Sequence, residues 1–298
     1  MKKGFFIASG LLFLLGSILI YQSITYNDKK LHVVICDVGQ GDAIFIRTPQ
    51  GSDILIDSGP DDSVLSCLSK HMPFWDKDIE IAILTHPDAD HVTGFIDVIK
   101  RYKLIYFYTS KVEAKTAVYA QFLKTLKDYK IKRNFLWQKD RFTFDDGLTM
   151  ETLWPTHEWE EKTVITSGTI NSFSVVELLT YKNFRALFTG DVDAAQMEEV
   201  ASSLPATPSQ DSGLRGGRGS INFLKAPHHG SRFGLTSEIL DILNPKVAAI
   251  SVGKNNKYRH PAPETLKILG EKDIKILRTD RDGEIEVVSD GESWGVKK

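Results

Sequence analysis

Short apolar runs rich in β-branched residues begin at Leu31 and recur toward the carboxyl end, typically ended by Gly, Pro or Asp. The first four read LHVVICDV, DAIFIRTP, DILIDSG and IEIAILT. Only turn residues separate the first three, which predicts an antiparallel meander rather than strand-helix-strand units. Six later runs are also typical of strands: FSVVELLT, FRALFTG, INFLKAP, KVAAISVG, DIKILRT and EIEVV.

Segments with helical periodicity alternate with these strands. They cover residues 90 to 103, 111 to 130, 193 to 204, 236 to 243 and 263 to 271. Two groups of strands joined to helices predict an α/β protein in which two sheets pack face to face with helices outside. We expect residues 31 to 298 to form one domain. Within it, the Ser-, Pro- and Gly-rich residues 202 to 220 predict a mobile insertion, whose Arg215 and Arg218 we expect to be solvated.

The amino terminus has a different composition. Lys2 and Lys3 precede 17 uncharged, mostly apolar residues, from Gly4 to Ile20. This run is close to the roughly 20 residues that cross a bilayer as a helix. No small-x-small cleavage site follows. We therefore favour an uncleaved signal anchor, formed by residues 1 to 30 with residues 4 to 22 in the membrane; the alternative is secretion after signal cleavage.

Charge at the two ends of this segment bears on its orientation. With Lys2 and Lys3 inside the cell, the remaining domain lies outside the cytoplasm, an orientation that Lys29 and Lys30 oppose. We therefore predict a single-pass membrane protein with an extracytoplasmic domain.

Net charge excludes little. The formal net charge is −2, which gives no global sign of a nucleic-acid-binding protein. Residues 99 to 141 nevertheless carry twelve Lys or Arg against three acids. A solvated helix face is the favoured interpretation, and a surface for a polyanion is the alternative.

The chain has two cysteines, Cys36 and Cys67, and no CxxC motif. We expect neither a disulfide framework nor a thiolate zinc site. Any metal ion must then be held by His and carboxylate side chains.

Polar side chains of the kind that bind metals follow the predicted strands. These are Asp57 in LIDSG, His86 and His91 in LTHPDADHVTG, Asp191 in FTGD, His228 and His229 in APHHGS, and His260 in YRHP. Loops at strand ends converge on a site that the sheet holds still, so this placement indicates an active site.

The spacing in HPDADH separates two pairs of ligands. In an extended chain His86 and Asp88 point the same way and can reach one ion. Asp90 and His91 fall where a helix begins and can face a neighbouring ion. Imidazole and carboxylate ligands suit Zn²⁺, with Mn²⁺ or Fe as alternatives. A helix cap at Asp90 and a helix-dipole role for Asp88 would explain the acids but not the histidines.

Taken in order along the chain, these motifs resemble the metallo-β-lactamase superfamily, and specifically the hydrolase domain of ComEC-type competence proteins. The segments that carry the resemblance are DVGQGDAIFI, LIDSG, HPDADH, NSFSVVELL, TGD, HHGS, ISVGKNNKYRHP and RTDRDGEIEV. The resemblance runs from about Leu31 to Val288. It implies an αββα sandwich, here preceded by one hydrophobic helix.

The resemblance also implies a binuclear centre with two divalent ions, Zn²⁺ or alternatively Mn²⁺. His86 and Asp88 would hold one ion, Asp90, His91 and His229 the other, and Asp191 would bridge both. His228 is the other candidate of the HisHis pair, and Asp57 would orient ligands or water. The family usually has a further His where this chain has Asn171 to Ser174, and Asp88 stands where relatives have His. The site at His86 and Asp88 is therefore short of a nitrogen ligand.

The chemistry implied is hydrolysis of a phosphodiester by a water whose pKa the two ions lower toward neutrality. His260 is the candidate for stabilising the phosphate or protonating the leaving oxygen, and the catalytic set is completed by Asp90, Asp57 and His228. Ser231, the Gly230 amide and Asn171 are candidate substrate contacts.

Single-stranded DNA, in competence and DNA uptake, or a cell-wall phosphodiester would be the substrate. With one hydrophobic span the chain is not expected to form a DNA channel by itself. The alternatives are a non-hydrolytic metal-containing module that binds a partner at the membrane, and a lactonase or β-lactamase. An Asp rather than a Cys at position 191 fits β-lactam hydrolysis poorly.

Overall fold

The computed structural model describes residues 2–205 and 220–297. Its strands are β1 Leu31–Ile35, β2 Ile44–Arg47, β3 Asp53–Ile56, β4 Asp78–Leu84, β5 Lys103–Thr109, β6 Arg133–Phe135, β7 Arg141–Thr143, β8 Thr149–Trp154, β9 Val176–Tyr181, β10 Phe184–Phe188, β11 Phe223–Lys225, β12 Val247–Ile250, β13 Lys275–Arg278, β14 Ile285–Ser289 and β15 Trp294–Lys297. Its helices are α1 Lys2–Tyr26, α2 Val64–His71, α3 Ala89–Val92, α4 Phe95–Arg101, α5 Ala117–Asp128, α6 His157–Lys162, α7 Ala194–Ser203, α8 Ser237–Leu243, α9 Pro263–Glu271 and α10 Thr279–Asp282. Short 3₁₀ turns cover Asn171–Phe173 and Pro227–Gly230.

The strands form two mixed sheets. One has eight strands in the order β15-β14-β1-β2-β3-β4-β5-β6, and the other has seven in the order β13-β12-β11-β10-β9-β8-β7. Strands β1, β2 and β3 pair antiparallel, which confirms the predicted meander. Strands β3 to β6 pair parallel, as do β10 to β13. Both sheets therefore present carboxyl ends of parallel strands.

Alternating side chains of the strands separate three apolar layers, because successive residues of a strand point to opposite faces. In β1, Val33 and Ile35 join the core between the two sheets, whereas Val34 joins the core under the helices of the first sheet. In β10, Ala186 faces the core between the sheets and Leu187 faces the helices of the second sheet. The layers run helix, sheet, sheet, helix, and the predicted αββα sandwich is confirmed.

The helix predicted over residues 90 to 103 differs from the structure. It is divided into α3 and α4, and Lys103 already belongs to β5. At the division, the amide of Gly94 donates to Gly59 O (3.1 Å) and that of Phe95 to Ser58 Oγ (2.8 Å). These bonds tie the junction to the turn after β3, so a neighbouring loop ends the first helix.

Helix α1 covers most of the predicted membrane segment. Within the part of the chain that the structure describes, no helix is long and apolar enough to cross a membrane. The prediction of a membrane-spanning anchor is therefore not confirmed, and the domain boundary at residue 30 stays a prediction. Of the predicted mobile insertion, residues 206 to 219, with Arg215 and Arg218, lie outside the described residues.

The two cysteines form a disulfide, which corrects the expectation from the sequence. Cys36 follows β1 and Cys67 lies in α2; their Cα atoms are 5.9 Å apart and both side chains are buried. The bond fixes α2 against the end of β1, so it also excludes a thiolate metal ligand. Nothing in the spacing of two single cysteines indicates that they meet.

Candidate metal centre

The loops that follow β3, β4, β10 and β11 meet at one edge of the sandwich. The two sheets are joined there by the bond from Val175 N to Thr85 O (3.0 Å), and the loops after β10 and β11 by the bond from His228 N to Gly190 O (3.1 Å). Every predicted ligand lies on one of these loops. Rigid strands therefore hold loop side chains that are distant in sequence at one point.

His86 is completely buried after β4. Its Nδ1 lies 3.1 Å from Thr85 Oγ1 and 3.2 Å from Ser174 Oγ, while its Nε2 has no hydrogen-bond partner. Asp88 Oδ2 is 3.8 Å from that Nε2, and the Asp88 side chain is 40% exposed. Asp88 thus stands at the open side of the imidazole, and its role as a ligand of the same ion stays a prediction.

His91 is held by the carboxylate of Asp57. Its Nδ1 is 2.8 Å from Asp57 Oδ2, and Asp57 also accepts hydrogen bonds from the amide (2.8 Å) and hydroxyl (2.7 Å) of Thr85. His91 Nε2 lies 3.4 Å from Asp191 Oδ2. Asp57 therefore fixes which ring nitrogen of His91 faces the centre.

His229 faces the centre in the same way. Its Nδ1 is 3.0 Å from Ser251 O, and its Nε2 lies 3.4 Å from Asp90 Oδ2 and 3.3 Å from Asp191 Oδ2. His228 instead stands at the rim, 28% exposed, with Nε2 3.8 Å from Asp191 Oδ2 and Nδ1 3.7 Å from Asp193 Oδ1. This geometry favours His229 as the ligand of the HisHis pair.

The centre contains buried polar atoms that make no hydrogen bond. They are Nε2 of His86, His91 and His229 and Oδ1 of Asp191. Such atoms are costly in a folded protein unless a ligand satisfies them. Ligand atoms of His86, His91 and Asp191 lie within 4.8 Å of one another, as do those of Asp90, His91 and His229. The residues fit a divalent ion, and the division into two sites stays a prediction.

The electric field of the centre favours a cation. Burial lowers the pKa of His91, but the carboxylates of Asp191 and Asp57 outweigh burial and hold that pKa well above its usual value. His229 behaves likewise beside Asp191 and Asp42. Protons therefore bind tightly where metal ions would sit.

His86 and Asp90 shift in the opposite direction. Burial and the neighbouring His91 lower the pKa of His86 to about 3, so its imidazole is neutral. Burial raises the pKa of Asp90, but the adjacent His229 and His91 outweigh it and lower that pKa to about 2. Neutral imidazole and ionised carboxylate are the forms that bind metals.

A buried ion pair beneath His229 was not predicted in full. Lys225, the last residue of β11, pairs with Asp42, and both side chains are at most 1% exposed. Asp42 Oδ1 lies 3.4 Å from His229 Nδ1. Lys225 was missed because a lysine in an apolar strand gives no sign of a charged partner until the fold places that partner beside it.

The turn that carries Asp42 packs directly on the HPDADH loop. The amide of Asp42 donates to Asp90 O (3.2 Å), and a Cβ on Gly41 would lie 2.2 Å from that same oxygen. Glycine is therefore required at position 41 for the two loops to approach. Gly41 of the GQG motif thus allows the contact between the two loops.

Ser174 occupies the region where the family usually has a further histidine. Its hydroxyl accepts from the amide of Asp191 (3.1 Å) and lies beside His86 Nδ1. It thus connects two predicted ligands from behind.

The remaining predicted residues lie at or near the rim. His260 packs against His228, with ring centroids 5.6 Å apart, and Asn171 Nδ2 is 3.4 Å from His228 Nε2. Ser231 Oγ instead accepts a hydrogen bond from the amide of Phe233 (3.3 Å). Gly230 packs on Pro261: a Cβ added at Gly230 would lie 2.7 Å from Pro261 Cβ. The contacts of Ser231 and Gly230 are local, and their predicted role in binding substrate stays a prediction.

Comparison with known proteins agrees with this geometry. The profile of the metallo-beta-lactamase superfamily matches residues 36–254, which is more than half of the chain. The chain therefore belongs to the metallo-beta-lactamase superfamily, and its fold is that of a metal-dependent hydrolase.

Two curated relatives place the chain within that superfamily. It is 27% identical over 276 residues to ComE operon protein 3 of Bacillus subtilis (strain 168), covering 85% of this chain and 32% of the relative. It is 25% identical over 280 residues to Competence protein ComA of Neisseria gonorrhoeae, covering 92% and 34%. The predicted resemblance to the hydrolase domain of competence proteins is confirmed, and the chain spans about a third of the length of these relatives.

A solved structure shows the same fold. The metallo-beta-lactamase fold protein YhfI from Bacillus subtilis has a TM-score of 0.55 at 11% identity, covering 86% of this chain and 99% of YhfI. At this identity the likeness concerns the fold alone.

Proposed function

We propose that the chain is a phosphodiesterase that uses two divalent metal ions, Zn²⁺ or alternatively Mn²⁺. The observation that carries the proposal is the convergence of unpaired Nε2 atoms from three imidazoles on the carboxylate of Asp191. His86, Asp88 and Asp191 would hold one ion, and Asp90, His91, His229 and Asp191 the other. Bound there, the ions would lower the pKa of a water and neutralise phosphate charge.

Residues around the centre orient its imidazoles and donate a proton to the leaving group. Asp57 and Ser251 O orient the imidazoles of His91 and His229. His228 stands at the open rim of the centre, with its Nε2 3.8 Å from Asp191 Oδ2 and its Nδ1 3.7 Å from Asp193 Oδ1. We assign protonation of the leaving oxygen to His228.

For His260 we retain the other of its two predicted roles, a contact that stabilises the phosphate. Burial, His228 and His229 lower its pKa to about 4, so the ring is neutral near neutral pH. A neutral imidazole can donate or accept a hydrogen bond at the phosphate, but it does not supply a positive charge there. The same imidazole packs on His228 and thereby limits how that ring can turn.

The substrate class follows from the family likeness. Similarity to competence proteins favours single-stranded DNA, and a cell-wall phosphodiester polymer is the second substrate to test.

We also propose that the chain is attached to a membrane through residues 4 to 22, with the domain outside the cytoplasm. Helix α1 exposes large apolar side chains, among them Leu12 and Phe13. The Cys36–Cys67 disulfide supports an oxidising compartment, because such bonds are rare in the reducing cytosol. A reporter fused after residue 30 tests the orientation, and release of a shortened chain from cells would indicate signal cleavage.

Hydrolysis is tested with the full chain, loaded with Zn²⁺ or Mn²⁺. The substrates are an artificial phosphodiester, single-stranded DNA, a lactone and a β-lactam. We expect phosphodiester cleavage that Asp191→Ala abolishes and Asp241→Ala, which changes an exposed carboxylate on α8, leaves intact. Cleavage of no ester with either metal would overturn the proposal in favour of a binding module, and preference for lactone or β-lactam would reassign the substrate.

A further inference from the structure

A basic groove lies at the edge of the sandwich opposite the metal centre. It has a volume of about 730 Å³ and is formed by the end of α4, the first half of β5 and the segment between α5 and β6. Strand β6 pairs only with Phe107 to Thr109, which leaves the first half of β5 open on that side. Its lining includes six cations and no carboxylate: Lys77, Lys100, Arg101, Lys103, Lys130 and Lys132.

Most of these cations are available to an external anion. Lys100 pairs with Asp97 (2.9 Å), and Lys103 approaches Asp78 at 3.6 Å. The other four form no salt bridge with any described carboxylate. Because cations clustered in a concave surface reinforce one another's potential, the groove attracts anions.

An exposed aromatic pair adjoins the groove. Phe74 and Trp75 are 51% and 46% exposed, and their ring centroids are 5.0 Å apart in an edge-to-face arrangement. They precede Lys77 by two or three residues, and Lys77 O accepts from the amide of Lys103 (2.7 Å). Exposed Tyr106 and Tyr129 stand in the groove itself. Amphipathic aromatic side chains beside cations are typical of membrane-water interfaces.

The amino-terminal helix ends at the same face. Gln22 Oε1 accepts from the amide of Phe74 (3.2 Å), and the Tyr26 hydroxyl donates to Lys70 O (2.9 Å). The helix exposes large apolar side chains at Leu11 to Leu15. Apolar helix, aromatic pair and basic groove are therefore continuous.

We propose that this face, defined by Phe74, Trp75 and the basic groove, binds the surface of an anionic phospholipid bilayer. The six cations contact headgroup phosphates, while Phe74 and Trp75 enter the interfacial layer. The inference deepens the proposed membrane attachment and is independent of the proposed hydrolysis.

The location of the groove favours lipid over substrate. Strand β4 starts beside the groove at Asp78 and ends beside the metal centre at Leu84, so its seven residues separate the two by about 20 Å. A strand of nucleic acid held in the groove would therefore lie far from the reacting atoms. With the groove on the bilayer, the metal centre faces away from it, open to substrate.

The test uses the full chain with vesicles of phosphatidylcholine alone or mixed with phosphatidylglycerol, each also prepared with brominated acyl chains. Bromine quenches tryptophan within the bilayer, and the difference between the wild-type chain and Trp75→Phe isolates the signal of Trp75. Because this signal reports the aromatic pair, it is informative even where α1 alone holds the chain on every vesicle.

We expect Trp75 to be quenched on anionic vesicles and less at high salt. The triple variant Arg101→Glu, Lys103→Glu, Lys132→Glu should lower the quenching of Trp75 on anionic vesicles severalfold. The matched control Lys254→Glu, Lys257→Glu, Arg281→Glu changes the net charge by the same amount, but at the metal-centre edge. It should not have this effect, because salt screens charges beyond roughly 10 Å. Retained metal content and circular dichroism show that each variant folds.

Two results would overturn the proposal. One is quenching of Trp75 that is absent or equal in the wild-type chain and the triple variant. The other is tight binding of a labelled single-stranded oligonucleotide that is lost in the triple variant but kept in the control variant, while vesicle binding does not change. That result would assign the groove to nucleic acid.

Discussion

A single carboxylate oxygen, Asp191 Oδ2, lies 3.4, 3.3 and 3.8 Å from Nε2 of His91, His229 and His228. The first two imidazoles are buried and fixed through Nδ1 by Asp57 and Ser251 O, whereas the third is open to solvent. Three chemically identical side chains are thus divided by burial and by their hydrogen bonds. Two are buried and fixed as metal ligands require, and the third is left within reach of a substrate at the rim.

This division predicts different losses for the adjacent histidines. His229→Ala should lower the bound metal from two ions toward one, because it removes a buried ligand. His228→Ala should keep both ions but slow phosphodiester cleavage by roughly 10²- to 10⁴-fold, the range for a lost general acid. Metal analysis and the cleavage rate of the metal-loaded variants separate the two outcomes. Equal metal loss in both variants would contradict the assignment.

The Lys225–Asp42 pair predicts a large effect on stability. Lys225→Met leaves the ionised, completely buried Asp42 without its partner, and we expect the free energy of unfolding to fall by about 3–5 kcal/mol in urea. Adding Asp42→Asn should recover much of that loss, since it removes the buried charge. If the double variant is no more stable than Lys225→Met, the pair does not act through charge compensation.

At the scale of elements, strand β9 carries an acid where an apolar residue is expected. Glu177 is completely buried, accepts from Thr152 Oγ1 (2.6 Å) and has one oxygen without a partner. Burial raises its pKa to about 8 despite that hydrogen bond. The folded chain therefore binds this proton more tightly than the unfolded chain does. The resulting stability is complete below the unfolded pKa and is lost as pH rises through about 8.

Glu177→Gln should accordingly remove the loss of folding stability that ionisation of Glu177 causes at high pH. Each pKa unit corresponds to about 1.4 kcal/mol, so the variant should exceed the wild-type free energy of unfolding by a few kcal/mol near pH 9 and by little near pH 5. Urea unfolding at both pH values measures the difference. Glu198→Gln, an exposed change on α7, serves as the control. A pH-independent difference would show that Glu177 does not titrate between these values.

The elements that can be predicted from the sequence are those whose own residues show a run or a periodic pattern of apolar side chains. Strands β1 to β4 and β9 to β14 lie in apolar runs, and the ligands sit in short motifs after them. Strands β5 to β8 and β15 were missed because KLIYFYT combines a lysine with two tyrosines and the others are short or polar. Lys225, Ser174 and the disulfide could not be predicted in full, because each takes its meaning from a partner far along the chain.

At the scale of the whole molecule, the metal centre joins the two sheets. His86, Asp90 and His91 follow a strand of the first sheet, and Asp191 and His229 follow strands of the second. Ions that bind across this seam contact both halves of the sandwich. Binding to the folded chain alone stabilises it by mass action, by about 2.7 kcal/mol when free metal is a hundredfold above Kd.

Metal removal should therefore lower the melting temperature, by an amount that depends on pH. Without metal, the raised pKa values of His91 and His229 contribute stability that is complete below their unfolded pKa and lost as pH rises through the folded values. Metal must displace those protons, so it binds more tightly as pH rises. A chelator should thus lower the melting temperature most at alkaline pH and least near pH 5.5. Thermal unfolding with and without chelator measures this, and Asp191→Ala should show no chelator effect. A chelator effect that grows as pH falls would mean that these imidazoles are not the ligands.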